Sequence, residues 1–261
     1  MGGSWRVPTV KITADAIRQM KGREPIAALT VYDYPMTRML DGCGVPLLLV
    51  GDSLGMVVLG LPDTTGVTMD DMLHHTRAAA RAQPNALLAA DLPADSCRTQ
   101  ADALANSHRL IEAGAEAVKA EGGLEIGEYV RAIVAEGIPF LGHLGMLPQR
   151  VKEGGGYKIK GRRPDERTML IDDAAALADA GAFAIVLELV EPTVAGELTS
   201  ALPIPTIGIG SGPDCDGQIL VTPDLWATSP DFIPKHVQPN EQVKIEMEST
   251  IANWMNNIGK K

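Results

Sequence analysis

The residues best suited to chemistry follow short apolar runs. Tyr32-Asp33-Tyr34 and Gly51-Asp52-Ser53 each close one such run; Asp91, Lys119-Ala120-Glu121, Gly142-His143 and Glu188 close others. A charged group at the end of a buried strand is costly unless it is paired or bound to a metal. Asp52, Asp91 and Glu121 would repel one another if they met. A hard divalent cation such as Mg2+ relieves that repulsion, since it is usually held by one or two carboxylates together with waters and substrate oxygens. Lys119 and His143 in the same place suit an anionic, oxygen-rich substrate. Taken singly, each residue has a plainer reading: an Asp after a strand can make a turn, a lone histidine is more often structural, and Tyr32 could be core. Their coincidence at successive strand ends is what favours an active site.

The elements that must position them repeat along the chain as a short apolar run, a turn and an Ala-rich helical stretch. Strands are expected at Ile26–Val31, Leu47–Val50, Ala86–Ala90, Ala117–Lys119, Pro139–Leu141, Phe183–Glu188, Pro205–Ile209 and Ile219–Val221. Such nearly continuous apolar runs mark strands covered on both faces. Helices are expected at Pro35–Cys43, Met69–Gln83, Gln100–Ala113, Ile126–Glu136, Glu166–Ala180 and Pro192–Ala201, several ending at a glycine (Gly114, Gly137, Gly181) suited to the left-handed C′ position. The α/β alternation predicts a single-domain (β/α)8 TIM barrel over residues 1–261, with all strand ends opening on one face. An open doubly wound sheet is the alternative. The last two strand starts lie too close for a full crossover helix, so either strand eight is misplaced or the final unit is abbreviated. Thr13–Lys21 reads as an N-terminal capping helix, with Thr13 or Asp15 near its start. Asn240–Asn256 reads as a C-terminal helix with Val243, Ile245, Met247, Ile251 and Trp254 as apolar positions, Trp254 serving packing.

Composition excludes several classes. The chain has 261 residues and a formal net charge of −10, so it gains no counterion-release attraction for nucleic acid. Apolar runs such as Val45–Val50 are far too short to span a membrane. Cys43, Cys97 and Cys215 have no CxxC spacing and read as packing residues of a reducing compartment. The first residues lack the apolar region of a signal peptide, so a cytoplasmic location is expected. His74-His75 lack HExxH spacing, which favours packing or surface over metal binding. Gly208–Gly212 do not complete a dinucleotide fingerprint. Gly156–Gly161 continues into Arg162-Arg163 where a phosphate-binding loop needs Lys-Ser/Thr.

Seven strings in order carry a more specific signal: Thr30-Val-Tyr-Asp-Tyr34, Val50-Gly-Asp-Ser-Leu-Gly55, Ala90-Asp-Leu-Pro93, Val118-Lys-Ala-Glu-Gly-Gly123, Gly142-His-Leu-Gly145, Gly155-Gly-Tyr-Lys-Ile-Lys-Gly-Arg162 and Ile207-Gly-Ile-Gly210. Together they resemble the ketopantoate hydroxymethyltransferase family over roughly residues 10–225. The resemblance implies a (β/α)8 barrel, commonly decameric in bacteria, that transfers a hydroxymethyl group from 5,10-methylenetetrahydrofolate to the 2-oxo acid 3-methyl-2-oxobutanoate. It implies that Asp52 and Asp91 bind Mg2+ directly and Glu121 through water. It further implies that Tyr32, Ser53, Lys119 and His143 contact the oxo acid, and that Glu188 is the general base.

The chain departs from the family's usual pattern at Ala94-Asp95-Ser96-Cys97 and at Met146-Leu147-Pro148-Gln149, where Thr is commoner before Pro. Beyond Val221 the resemblance is expected to end, without the acidic, His- and Phe-containing tail. A Mg-dependent 2-oxo-acid aldolase or lyase of the phosphoenolpyruvate mutase type is the alternative; the chain lacks the Lys-Lys-Cys-Gly-His string of the isocitrate lyases. A barrel kept only for binding would be expected to have lost Asp52, Asp91 or Glu188, and all are present.

Overall fold

The structure is a computed structural model that describes residues 10–153, 155–230 and 232–259. The start of the chain, on which the leader reading rests, lies mostly outside them. Eight parallel strands close a barrel in sequence order: β1 (Ile26–Thr30), β2 (Leu47–Val50), β3 (Leu87–Asp91), β4 (Ala117–Glu121), β5 (Phe140–Gly145), β6 (Ala184–Glu188), β7 (Thr206–Ile209) and β8 (Gly217–Leu220). Between them run α2 (Tyr34–Gly42), the short α3 (Leu54–Val57), α4 (Met69–Ala80), α5 (Gln100–Glu112), α6 (Gly127–Ala135), α7 (Pro164–Asp179) and α8 (Pro192–Ala201). The helix α1 (Ala14–Met20) precedes the barrel, and α9 (Thr222–Leu225) and α10 (Glu241–Asn257) follow it. No helix among the described residues is long and apolar enough to cross a membrane.

Two apolar cores result from strand alternation. Side chains two apart share a face, so Leu47, Leu49, Leu87, Ala89, Ala117, Leu141, Ala184, Val186 and Ile207 fill the barrel interior. Their neighbours Leu48, Val50, Leu88, Ala90, Val118 and Ile185 pack outward with Met72, Leu110, Val130, Leu177 and Leu198 from the helices. Helix α1 closes the N-terminal end: the Thr13 hydroxyl accepts from the Ala16 N–H at 3.2 Å, and the fully buried Ile17 joins the interior core. Gly114, Gly137 and Gly181 take positive φ after α5, α6 and α7, as the helix ends predict.

The final unit is abbreviated. β7 pairs directly with β8, and no helix lies between them. β8 begins at Gly217, two residues before the sequence reading placed it; Gly217 pairs with Ile26, and a Cβ there would lie 2.2 Å from the Ile26 carbonyl oxygen, so the position needs glycine rather than an apolar side chain. The C-terminal helix exists but none of its residues is buried, and Trp254 is 67% exposed. Its expected packing is therefore corrected: the barrel's outer face is already sheathed by helices. Cys43 is exposed, against the packing expected of it; Cys97 and Cys215 do pack against the outer core.

Gly145 ends β5 at a φ of +98° beside Glu188, with which it is in register. A Cβ there would lie 2.2 Å from the Glu188 carbonyl oxygen and 2.7 Å from Val190 Cγ2. Gly145→Ala is expected to cost roughly 1–3 kcal/mol of stability, read as a lower urea midpoint. An unchanged midpoint contradicts this packing.

Candidate active site

The alternation that fills the barrel interior also aims the site. Asp91 follows Leu87 and Ala89 on one face of β3; Lys119 and Glu121 follow Ala117 on β4; His143 follows Leu141 on β5; Glu188 follows Ala184 and Val186 on β6. The register sets Asp91 beside Lys119 and Glu121 beside His143. Asp52 and Ser53 lie just beyond β2, where the chain turns into α3. A Cβ on the preceding Gly51 would sit 2.9 Å from the Ser53 Oγ, which explains the glycine. Asp52, Ser53, Asp91, Lys119, Glu121, His143 and Glu188 line one cavity of about 460 Å3 at the C-terminal end of the barrel.

Tyr32 does not line that cavity. It is 2% exposed, and its hydroxyl lies 2.9 Å from the Ser53 Oγ. It reaches the site through Ser53, whose hydroxyl it contacts. Burial raises its phenol above the ordinary tyrosine range. His75, read as packing or surface, places a ring nitrogen 2.6 Å from the Tyr32 carbonyl oxygen and so fixes the backbone after β1.

The charges are linked in a chain. The Lys119 ammonium donates to Asp91 Oδ1 at 2.6 Å, while the Asp52 backbone N–H donates to Asp91 Oδ2 at 3.0 Å. Gln149 donates from its side chain to Asp52 Oδ2 at 2.8 Å and from its backbone N–H to Glu121 Oε2 at 3.1 Å. Burial opposes a charge on Lys119, but Asp91, Asp52 and Glu121 outweigh it and hold the ammonium protonated. Burial, then the charge of Asp91, pushes Asp52 up to about 7. Burial and the charge of Asp52 drive Glu121 well above the usual carboxylate range. Glu188 rises to about 7, chiefly through burial, against the pull of Lys119 and His236.

His143 stands between the two acidic groups. Its Nδ1 lies 3.7 Å from Glu121 Oε1 and its Nε2 3.3 Å from Glu188 Oε2, yet neither nitrogen makes a well-formed hydrogen bond to the described residues. Burial, reinforced by Lys119, keeps the ring neutral. A buried imidazole with both nitrogens unpaired is a costly feature that a polar ligand would relieve.

The donor set fits a hard divalent cation. Asp52, Asp91, Glu121 and Glu188 share the cavity with one buried ammonium, and burial, followed by the neighbouring acids, raises Asp52 and Glu121. Each Asp91 oxygen keeps a lone pair beyond its single partner. Among the described residues no three acidic, histidine or cysteine side chains converge as a ready cage. A cation held there would have to complete its shell with water and substrate oxygens.

Several residues in or beside the cavity lay outside the sequence reading of the site. Gln149 sits in the 148–150 turn after β5 and is a neutral amide, invisible to a search for charges at strand ends. The loop before α7 brings Tyr157 and Ile159 to the wall; burial, then Glu188, pushes the Tyr157 phenol up to about 12. Asp224, Phe232 and His236 also line the cavity. The tail expected to be missing is thus present and supplies its own acid, phenylalanine and histidine; their order in the sequence was the available signal.

An eight-stranded parallel barrel with polar groups converging at its C-terminal mouth defines the chain as a TIM-barrel enzyme. The chain belongs to the ketopantoate hydroxymethyltransferase family, whose sequence model matches residues 11–261, well past the Val221 limit expected above. A 3-methyl-2-oxobutanoate hydroxymethyltransferase from Pyrobaculum aerophilum is 49% identical over 243 residues, covering 92% of this chain and 91% of that one. Among solved structures, a phosphonopyruvate hydrolase in complex with oxalate and Mg2+ superposes with a TM-score of 0.61 at 14% identity, covering 95% and 99% of the two chains. A phosphoenolpyruvate phosphomutase from Streptomyces platensis gives 0.63 at 12% identity, covering 95% and 88%. Those two likenesses are of fold alone, so the mutase-type alternative shares the barrel while the sequence family is the transferase.

A carboxyl raised to about 7 in the folded protein binds its proton more tightly there than in the unfolded chain. Its contribution is fully present below the unfolded pKa and is lost as pH rises through about 7. In metal-free protein, Glu188→Gln is therefore expected to be more stable than the parent at pH 8 and much closer to it at pH 4. Equal differences at both pH values, read by thermal melts, contradict a buried, proton-binding Glu188.

Proposed function

We propose that the chain catalyses the reaction of 3-methyl-2-oxobutanoate, 5,10-methylenetetrahydrofolate and water to 2-dehydropantoate and tetrahydrofolate, a step of pantothenate and coenzyme A synthesis. The observation that carries the reading is Glu188, a mostly buried carboxyl raised to about 7 on the β6 side of a cavity shared with Asp52, Asp91, Lys119 and Glu121. A base is most effective when its pKa lies near the working pH. Family membership supplies the reaction class.

In this reading the carboxylate of the oxo acid lies toward Lys119 and Ser53, with Tyr32 fixing the Ser53 hydroxyl from behind. The unpaired His143 nitrogens offer a hydrogen bond to the oxo acid. A bound Mg2+, which Asp52 and Asp91 would hold directly and Glu121 through water, supplies Lewis-acid polarisation of the 2-oxo oxygen. The Mg2+ and oxalate of the phosphonopyruvate hydrolase complex are consistent with that use of such a barrel. Glu188 then takes the C3 proton; C3 forms its new bond to the one-carbon unit, whose two bonds to the folate nitrogens break. Water supplies the hydroxyl group, and the proton taken from C3 and the second proton of that water end on the two nitrogens of tetrahydrofolate. Lys119 offsets the negative charge that develops on the oxo acid. The volume of about 460 Å3 lies in the range of roughly 300–1,000 Å3 typical of larger ligands. The outer wall of Met56, Val57, Tyr157, Ile159 and Phe232 is assigned to the folate donor.

Turnover of 3-methyl-2-oxobutanoate with methylenetetrahydrofolate is expected to stop with chelator and return with Mg2+; chelator-insensitive turnover contradicts the metal assignment. Equal turnover with formaldehyde alone contradicts the folate assignment. Glu188→Gln should slow exchange of the C3 hydrogen into solvent by about 10²–10⁴-fold while oxo-acid binding persists. In the parent, exchange should rise with pH to a plateau above about 7, because only ionised Glu188 accepts the proton. Undiminished exchange in Glu188→Gln removes Glu188 from the base role.

A further inference from the structure

We infer that Gln149 is a positioning residue that sets the geometry of the acidic cluster for its cation. The inference rests on the metal reading above and adds a residue to it. Gln149 spans three strand ends. Its Nε2 donates to Asp52 Oδ2 at 2.8 Å beyond β2 and to the Leu92 carbonyl oxygen at 3.0 Å beyond β3. Its backbone N–H donates to Glu121 Oε2 at 3.1 Å at the end of β4.

The chemistry fixes which end of the amide points inward. Asp52 Oδ2 and the Leu92 carbonyl are both acceptors, so only the NH2 group, with its two donors, can face them. Glutamate would oppose a carboxyl oxygen to two acceptors, and leucine would leave both without their donor. By holding one Asp52 oxygen, Gln149 fixes the rotation of that carboxylate; by holding one Glu121 oxygen, it fixes the distance between the two acids. It supplies no negative charge, which a fifth acid would, and no positive charge, which would compete with the cation. Carboxylates that bind metals are commonly oriented by such partners, whose loss costs about 10–100-fold in metal affinity.

The test is calorimetric titration of Mg2+, and of Mn2+ as a second probe, into the parent, Gln149→Leu and Gln149→Glu, with thermal melts in parallel. Both variants are expected to bind each metal about 10–100-fold more weakly at a melting temperature close to the parent's. In Gln149→Leu, the Mg2+ concentration for half-maximal turnover should rise by a similar factor, with much of kcat recovered at saturating Mg2+. Unchanged metal affinity in Gln149→Leu overturns the inference and leaves the proposed reaction standing. Loss of affinity that only tracks a collapsed melting temperature assigns Gln149 to folding and also overturns it. A parent that binds neither metal overturns both this inference and the metal assignment.

Discussion

The mouth of this barrel concentrates more negative charge than its own cations balance. Asp52, Asp91, Glu121 and Glu188 meet one buried ammonium, Lys119, and a histidine that burial holds neutral. Part of the imbalance is met internally, through the Lys119–Asp91 ion pair and the Gln149 hydrogen bonds. Burial first, and neighbouring charge second, raises Asp52 to about 7 and Glu121 well above the usual carboxylate range, and burial raises Glu188 to about 7. A divalent cation and an acidic substrate together supply the missing balance, and one of the retained carboxyls becomes a base of suitable strength.

The fold makes this cluster sustainable. Strand alternation buries leucine, alanine and valine in the lower barrel and, two or four residues on, turns the same face over to acids, lysine and histidine. No loop has to carry Asp91, Lys119, Glu121, His143 or Glu188; each lies on a strand whose register is fixed by its neighbours. Rigid placement matters because a misplacement of about 1 Å can cost on the order of 10²-fold in rate. The loops instead bring Gln149, Tyr157 and the segment with Phe232 and His236, which tune and cover the cavity.

Much of this was legible in the chain. Buried parallel strands write themselves as short apolar runs, and a charge ending such a run is expensive enough to be informative. That is why Asp52, Asp91, Lys119, Glu121, His143 and Glu188 could be named before the barrel was seen. What escaped has a common physical reason. Gln149 is neutral and gains its meaning from three partners distant in sequence. Tyr32 carries the right type at the right strand end, yet it sits one layer behind the cavity. Trp254 follows an apolar pattern, but it stands 67% exposed among the described residues. The short β7–β8 connection was flagged by spacing alone, and only the register resolved it.

The most direct measurement of the central claim is the proton count on cation binding. Mg2+ titrated calorimetrically near pH 6.5, in buffers of different ionisation enthalpy, should release protons, because the ion displaces those kept by Asp52 and Glu121. Release from Asp52 should shrink as pH rises well above 7 and that acid ionises unaided. Binding with no proton release near pH 6.5 would mean the cluster is already balanced, and the account of the site would be wrong.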